Sequence, residues 1–88
     1  MNTTSEVQFL TETYSEPVDE HRAVEVHVDQ YGQHWVGMTH IRSPKDWEFH
    51  PRCQYGIGEG GRQMAEYAAK SLAREIRFDA TFLGSTRR

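Results

Sequence analysis

The histidines and the single cysteine are the residues of this 88-residue chain whose types and spacing could hold a metal ion. His50 and Cys53 are separated by two residues, a spacing that zinc ligands use. A structural zinc site usually needs a second such pair, and the chain has no second cysteine. His34 and His40 share a strand face but lie roughly 20 Å apart along it. We therefore predict no metal site and no cofactor.

Nucleophilic catalysis would require Cys53 or a serine next to a base and a group that orients that base. Cys53, His50 and Asp46 are the one compact set of these residue types, and no sequence signature of a catalytic site surrounds them. The carboxylates that could form an acid–base pair are expected to be solvated; they are Glu25, Asp29 and Glu48. We predict that the protein is not an enzyme.

A glycine-rich segment at residues 56–61 formally matches the pattern G-x-G-x-x-G. In dinucleotide-binding folds this pattern joins a parallel strand to a helix, and an acid follows about 20 residues later. No such unit follows here, and Glu59 places negative charge where a phosphate would sit. We predict that residues 51–61 form an irregular connection, which is either flexible or ordered only on a partner.

The net charge of −3 is unevenly distributed along the chain. Residues 1–33 contain seven acids and one base, a balance of −6, whereas residues 34–88 contain nine bases and six acids, a balance of +3. An acidic first half repels nucleic-acid phosphates and attracts a basic partner. The alternative is that these acids only keep an edge strand soluble.

The tryptophans and their aromatic neighbours are the strongest candidates for contact with another molecule. If a helix covers the valine face of the sheet, Trp35 lies on the other, uncovered face, where it could anchor a partner. Alternatively, residues 43–60 fold back and bury Trp35 against Trp47 or Phe49. A homodimer formed through that face or through an edge strand is a third alternative.

Basic residues on the predicted helix could instead contact nucleic acid. Arg62, Lys70, Arg74 and Arg77 lie on its exposed face, together with Tyr67. Glu66 interrupts this band, and the pI of about 5.9 is low for a nucleic-acid-binding protein. These features disfavour direct nucleic-acid binding, which we retain as an alternative function.

The clearest local structure is a β-hairpin over residues 23–42. Val24, Val26 and Val28 alternate with polar residues, as in a strand with one buried face. Residues 29–32 fit a type I turn with Gly32 in a left-handed conformation, which sets the hairpin register. The pairs predicted from this turn are Val24 with Met38, Val26 with Val36 and His27 with Trp35.

The remaining patterns complete a small α+β protein with two layers. We predict strands over residues 7–14, 23–29, 34–42 and 46–50, and a helix over residues 61–78. Strict alternation over residues 7–14 places Phe9 and Glu12 on opposite faces. The residues predicted to join the helix to the core are Ala65, Ala68, Leu72 and Ile76, flanked by Met64 and Ala69, with Phe78, Phe82 and Leu83 beyond them. The expected fold is an antiparallel three- to four-stranded sheet with one C-terminal helix on one face.

Length and composition indicate one domain over residues 1–88, with residues 1–5 and 84–88 loose. No run approaches the roughly 18 apolar residues of a membrane helix, and no secretory signal is visible at residues 1–9. One cysteine permits no internal disulfide, which suits a reducing compartment. We expect a cytoplasmic protein with no membrane contact.

Two families resemble this chain. The order of hairpin, glycine-rich segment and alanine-rich helix over residues 23–78, with the small size and acidity, resembles the small α+β anti-CRISPR proteins of phages. The same region is similar to HicB-type antitoxin domains, which often have Pro-Gly-Cys where this chain has Pro51-Arg52-Cys53, followed by a helix with spaced alanines. Arg52 departs from that pattern, and we expect no appended DNA-binding domain. Either resemblance implies an inhibitor that occupies the surface of another protein.

These observations predict a non-catalytic, protein-binding inhibitor in the cytoplasm of a host cell. Its partner would be a CRISPR surveillance complex or another nucleic-acid-processing complex, and it would block the surface that binds nucleic acid. The alternative is a small nucleic-acid-binding regulator or a HicB-like antitoxin. The residues predicted to contact the partner are Glu12, Glu16, Asp19, Glu20, Glu25, His27, Asp29 and Trp35.

Overall fold

A computed structural model describes residues 7–43 and 46–86, with side chains described over residues 7–40 and 48–78. Four strands precede one helix, and every neighbouring pair of strands in the order β1-β2-β3-β4 is antiparallel. The elements are β1 (Phe9–Pro17), β2 (Arg22–Asp29), β3 (Gln33–Ser43), β4 (Asp46–Ile57) and α1 (Gly58–Thr86). Because α1 packs on one face of this sheet, the predicted α+β fold is confirmed.

Some predictions concern residues outside this part of the chain. The loose ends expected at residues 1–5 and 87–88 and the side chains of Trp47, Phe82 and Leu83 lie outside the described residues. No helix among the described residues combines the length and the apolar character that crossing a bilayer requires.

The β2–β3 hairpin has the predicted register. Val24 pairs with Met38, Val26 with Val36, and His27 with Trp35. Gly32 has a φ of +83°, and its N–H donates to the carbonyl oxygen of Asp29 at 3.1 Å. Glycine adopts this left-handed conformation without steric cost, so the turn closes as its residue types predict.

The core is formed where alanines of α1 meet valines of the sheet. Ala65, Ala69 and Ala73 are fully buried against a sheet surface that includes Val24 and Val26. Three alanines at spacings of four residues let the helix backbone approach the sheet closely. The buried stripe of α1 therefore differs from the predicted one. Ala68, Leu72 and Ile76 are only partly buried, and Met64 and Phe78 are both 61% exposed.

The predicted irregular connection at residues 51–61 is wrong. β4 continues through Pro51 to Ile57, and α1 begins at Gly58 and runs past Gly84 to Thr86. Proline is tolerated in β4 because an edge strand has one side without ladder hydrogen bonds. Gly56 and Gly58 have φ values of 109° and 73°, which allow the chain to pass from strand to helix with no loop between them.

β1 contains two irregularities that strict alternation did not predict. The register with β2 shifts between Phe9 and Thr11 and again between Glu12 and Tyr14. An extra residue at a bulge reverses the faces of all residues beyond it. As a result Glu12 pairs with His27 and lies on the same face as Phe9, instead of the opposite face.

Candidate functional site

The sheet face turned away from α1 carries aromatic rings over polar side chains, and we call it the aromatic–acid face. Its members are Phe9, Glu12, Ser15, Glu25, His27, Asp29, Trp35, Thr39 and Phe49. Five of the eight residues predicted to contact a partner are in this set, which are Glu12, Glu25, His27, Asp29 and Trp35.

Glu25 is a buried carboxylate at the centre of this face. Its exposed fraction is 3%, so the expectation that it would be solvated is wrong. The hydroxyl groups of Thr39 and Ser15 donate to it at 2.7 and 3.0 Å, and Nε2 of His27 lies 2.8 Å from Oε1. Burial alone would raise the pKa of Glu25, but these hydrogen bonds outweigh burial and hold the pKa below its ordinary value. Glu25 is therefore ionised at neutral pH.

Asp29 is the second buried carboxylate, at the end of β2. It is 3% exposed, so the expectation that it would be solvated is also wrong. Oδ1 accepts the backbone N–H groups of Tyr31 and Gln33 at 2.8 and 3.0 Å, and Oδ2 accepts the indole N–H of Trp35 at 2.8 Å. Burial would raise the pKa of Asp29, but these donors lower it below its ordinary value. The carboxylate thus joins the turn to the indole of β3.

Three aromatic rings and an imidazole cover these carboxylates. Phe49 stacks on the ring of His27 with centroids 3.8 Å apart and an interplanar angle of 23°. Phe9 meets Trp35 and Phe49 edge to face at 5.9 and 5.1 Å. Trp35 is half-buried. Trp35 is therefore not the uncovered anchor residue that one of the sequence-based alternatives predicted. The ring that contacts it, Phe9, comes from β1.

Gly37 makes this arrangement possible, and its role was not predicted from the sequence. It pairs with Glu25 across the β2–β3 ladder, so it lies on the same face. A Cβ atom there would lie 2.8 Å from Cζ of Phe49 and 2.8 Å from Cα of Pro51. The missing side chain therefore gives the Phe49 ring the space in which it reaches His27. A glycine inside a strand pattern is the signal that could have indicated this close approach.

We expect the free energy of unfolding to fall as the pH drops below about 5. The pKa values of Glu25 and Asp29 are lower in the folded protein than in the unfolded chain, so protons bind the unfolded chain more readily. Stability is complete above the unfolded pKa values, near 4, and is lost as the pH falls through the folded ones. Urea unfolding at pH 7 and at pH 3 measures the difference.

Asp29→Asn is the matched control for this pH dependence. Its amide oxygen still accepts backbone N–H groups, but it has no charge to lose, so its stability should decline less between the two pH values. At pH 7 it should be less stable by about 1–3 kcal/mol because charge-assisted hydrogen bonds are lost. Equal declines in the two proteins would show that Asp29 does not contribute to the pH dependence.

The other acids that were predicted to contact a partner protein differ in whether they form ion pairs within the chain. Glu16 accepts from Nη1 of Arg77 at 3.3 Å, and Asp19 pairs with Nη2 of Arg22 at 2.8 Å. Glu12 and Glu20 are exposed, and neither contacts a lysine or arginine among the described residues. With Glu25 and Asp29 buried, residues 7–33 therefore present much less negative charge to a partner than their composition indicates.

The basic face of α1 is also partly neutralised within the molecule. Arg62 forms ion pairs with Glu59 and with Glu66, the latter at 2.8 Å. Arg77 binds Glu16, and Nζ of Lys70 lies 5.7 Å from the centroid of the Tyr14 ring. These contacts oppose the use of this face for phosphate binding, which stays an untested alternative.

An apolar groove lies between α1 and β4, and we call it the α1–β4 groove. It encloses about 550 Å³, and its lining includes Tyr55, Met64, Tyr67, Ala68, Leu72 and Glu75. Met64 is 61% exposed and Tyr67 is 74% exposed. This groove was not predicted from the sequence. The signal was present in the spacing of Met64, Ala68 and Leu72, which forms a second apolar stripe beside the buried alanines.

Cys53 and His50 are the pair whose spacing in the sequence resembles that of metal ligands. Both are exposed on β4, and Asp46 has no described side chain. Among the described residues, neither belongs to a cluster of three potential metal ligands. Cys53 instead lines a smaller hollow that adjoins the α1–β4 groove.

Comparisons with protein-family models, with curated proteins and with solved structures found none that matches this chain. The aromatic–acid face and the α1–β4 groove are therefore the features of this chain that indicate a function.

Proposed function

We propose that this chain is a non-catalytic binding protein that docks on a partner protein through the α1–β4 groove. The observation that carries the proposal is that α1 buries small residues and exposes larger apolar ones. The helix places Ala65, Ala69 and Ala73 in the core and leaves the larger Met64 and Tyr67 in contact with water. Large exposed apolar side chains grouped around a groove are typical of protein interaction sites.

The chemistry of the groove indicates what kind of segment it accepts. Leu72 and Tyr55 form apolar walls, and Met64 adapts its shape to a partner because its side chain is unbranched. Tyr67 offers a large apolar ring with a hydroxyl group that can remain hydrated. Glu75 is exposed and also lines the groove, so its carboxylate favours a basic residue. The proposed partner segment is therefore apolar and carries a lysine or arginine beside its apolar residues.

In this proposal the chain binds its partner protein and sterically prevents nucleic acid from reaching that partner. Support comes from the resemblance to small phage anti-CRISPR proteins in size, acidity and order of elements. Glu12 and Glu20 add exposed negative charge, which favours a basic partner surface. The site of action is the cytoplasm of the host cell.

A double substitution tests the groove. We expect Met64→Ala/Tyr67→Ala to weaken partner binding at least about 100-fold, because central aromatic and flexible apolar contacts dominate interface energy. Both residues are exposed, so the fold should be retained. The chain is used as bait in host extract, the captured protein is identified by mass spectrometry, and its purified form is titrated by calorimetry with and without nucleic acid.

Two control variants separate the competing explanations. Arg74→Ala changes an exposed residue of the same helix and should leave affinity unchanged, whereas Glu12→Lys/Glu20→Lys measures the contribution of the acidic residues. Undiminished affinity of the groove variant would contradict the proposed surface. Direct binding of nucleic acid that weakens steeply with salt would support the regulator alternative instead. Sedimentation that shows a dimer dissociated by the groove variant would assign the groove to a second copy of the chain.

A further inference from the structure

One cluster of potential metal ligands lies on the aromatic–acid face, remote from the α1–β4 groove. The donor atoms of Glu12, Glu25 and His27 all lie within 4.8 Å of one another. Glu12 comes from β1 and the other two residues come from β2, so the cluster exists only because a bulge turns Glu12 toward His27. Bulges often redirect a side chain at functional sites. We infer that Glu12, Glu25 and His27 form a binding site for a divalent transition-metal ion.

Neighbouring side chains hold two of the three ligands in place. Thr39 and Ser15 donate hydrogen bonds to the Glu25 carboxylate. The His27 side chain is 17% exposed, and Phe49 stacks on its ring. Supporting contacts of this kind orient the ligands of metal sites and are part of what sets their affinity. Only Glu12 is free to move, since it is exposed and has no hydrogen-bond partner among the described residues.

The charges of the cluster favour a divalent cation. Two carboxylates converge on His27, and no lysine or arginine contacts either of them among the described residues. Buried carboxylates are normally paired with a cation or coordinate a metal. Two carboxylates and a neutral imidazole have a combined charge of −2, which one divalent ion balances.

The ligand types and distances indicate which ions fit. Imidazole nitrogen with carboxylate oxygen suits Zn²⁺ and neighbouring first-row ions, whereas Mg²⁺ and Ca²⁺ prefer oxygen ligands alone. Ligand distances of about 2.0–2.2 Å place the donor atoms of a tetrahedral site about 3.3–3.6 Å apart. The donor atoms of the cluster lie within 4.8 Å of one another, so Glu12 needs to move by at most about 1.5 Å to complete the site. His27 would present Nε2 to the ion with its proton on Nδ1, and three protein ligands leave a coordination position for water.

Calorimetric titration of the full chain with Zn²⁺ tests this site. We expect one ion per chain, an affinity at least about 10-fold lower in Glu12→Gln, and a loss of about 100-fold in His27→Gln. The matched control is His50→Gln/Cys53→Ser, which removes the other potential ligand pair and should leave affinity unchanged. Circular dichroism verifies that each variant is folded, and Glu12→Gln keeps the test valid because that exposed side chain does not support the fold.

Cobalt substitution gives a second readout. Co²⁺ bound to nitrogen and oxygen ligands should show visible absorption bands without the intense near-ultraviolet band of a cobalt–thiolate bond. No Zn²⁺ binding, or unchanged affinity in Glu12→Gln, would overturn the inference. Loss of binding in His50→Gln/Cys53→Ser, or a thiolate band, would assign the ion to β4 and would overturn it as well.

Discussion

Gly37→Ala is expected to lower the free energy of unfolding by about 3 kcal/mol, at the upper end of the range for overpacked sites. The added Cβ atom would overlap the carbonyl oxygen of His50 and would lie 2.8 Å from Cα of Pro51. Both are backbone atoms of β4, so they cannot move aside without disturbing the β3–β4 ladder. In a chain of 88 residues, where total stability is typically 5–15 kcal/mol, this loss is a large fraction.

Urea denaturation of the purified variant measures this loss, and Gly60→Ala is its control because no atom from outside the adjoining helix backbone lies within 4 Å of the Cβ position there. The substitution should also displace Phe49 from His27, since Cζ of Phe49 would lie 2.8 Å from the new methyl group. A destabilisation below about 1 kcal/mol would mean that β4 can shift away from β3, contrary to the packing described here.

The second large effect is expected at the start of α1, where adjacent glycines should respond in opposite directions. A Cβ atom on Gly61 would overlap the carbonyl oxygen of Gly56 and lie 3.2 Å from its Cα atom. Gly61→Ala should therefore lower the free energy of unfolding by about 2–3 kcal/mol. Gly60→Ala has open space around it and should raise stability by up to about 1 kcal/mol, because alanine is the better helix former.

Thermal and urea unfolding of the two variants, measured side by side, provide the comparison. Composition and helix propensity change identically in both, so the difference between them isolates the contact between α1 and Gly56. Equal effects in the two variants would show that the helix does not cross Gly56 as closely as the structure places it.

The β2–β3 hairpin was predictable because its information is local. Alternating valines define the buried face, and Asp29 with Gly32 defines the turn. Together they determine which residues pair, and the observed register agrees with that prediction. The antiparallel sheet and the C-terminal helix followed from equally local periodicity.

The strand-to-helix junction was not predictable in the same way. Several glycines close together are typical of an irregular connection, but Gly56 and Gly58 instead form a sharp bend and Gly61 permits a close crossing. Whether a glycine provides flexibility or space depends on what packs against it. The position of α1 over β4 depends on tertiary packing, so the role of these glycines could not be predicted from the sequence pattern.

The candidate sites also depend on tertiary packing more than on local sequence patterns. Glu12 is placed beside Glu25 and His27 by a register shift within β1, and Glu25 is buried by side chains from neighbouring strands. Likewise the α1–β4 groove depends on which helical stripe faces the sheet: the buried residues are Ala65, Ala69 and Ala73, whereas the predicted stripe was Ala65, Ala68, Leu72 and Ile76. Periodicity by itself determined which elements form and how the central hairpin pairs, because those depend on neighbours along the chain. Only the tertiary structure decided which charges are buried and which apolar residues remain exposed, because burial is set by contacts between residues far apart in the sequence.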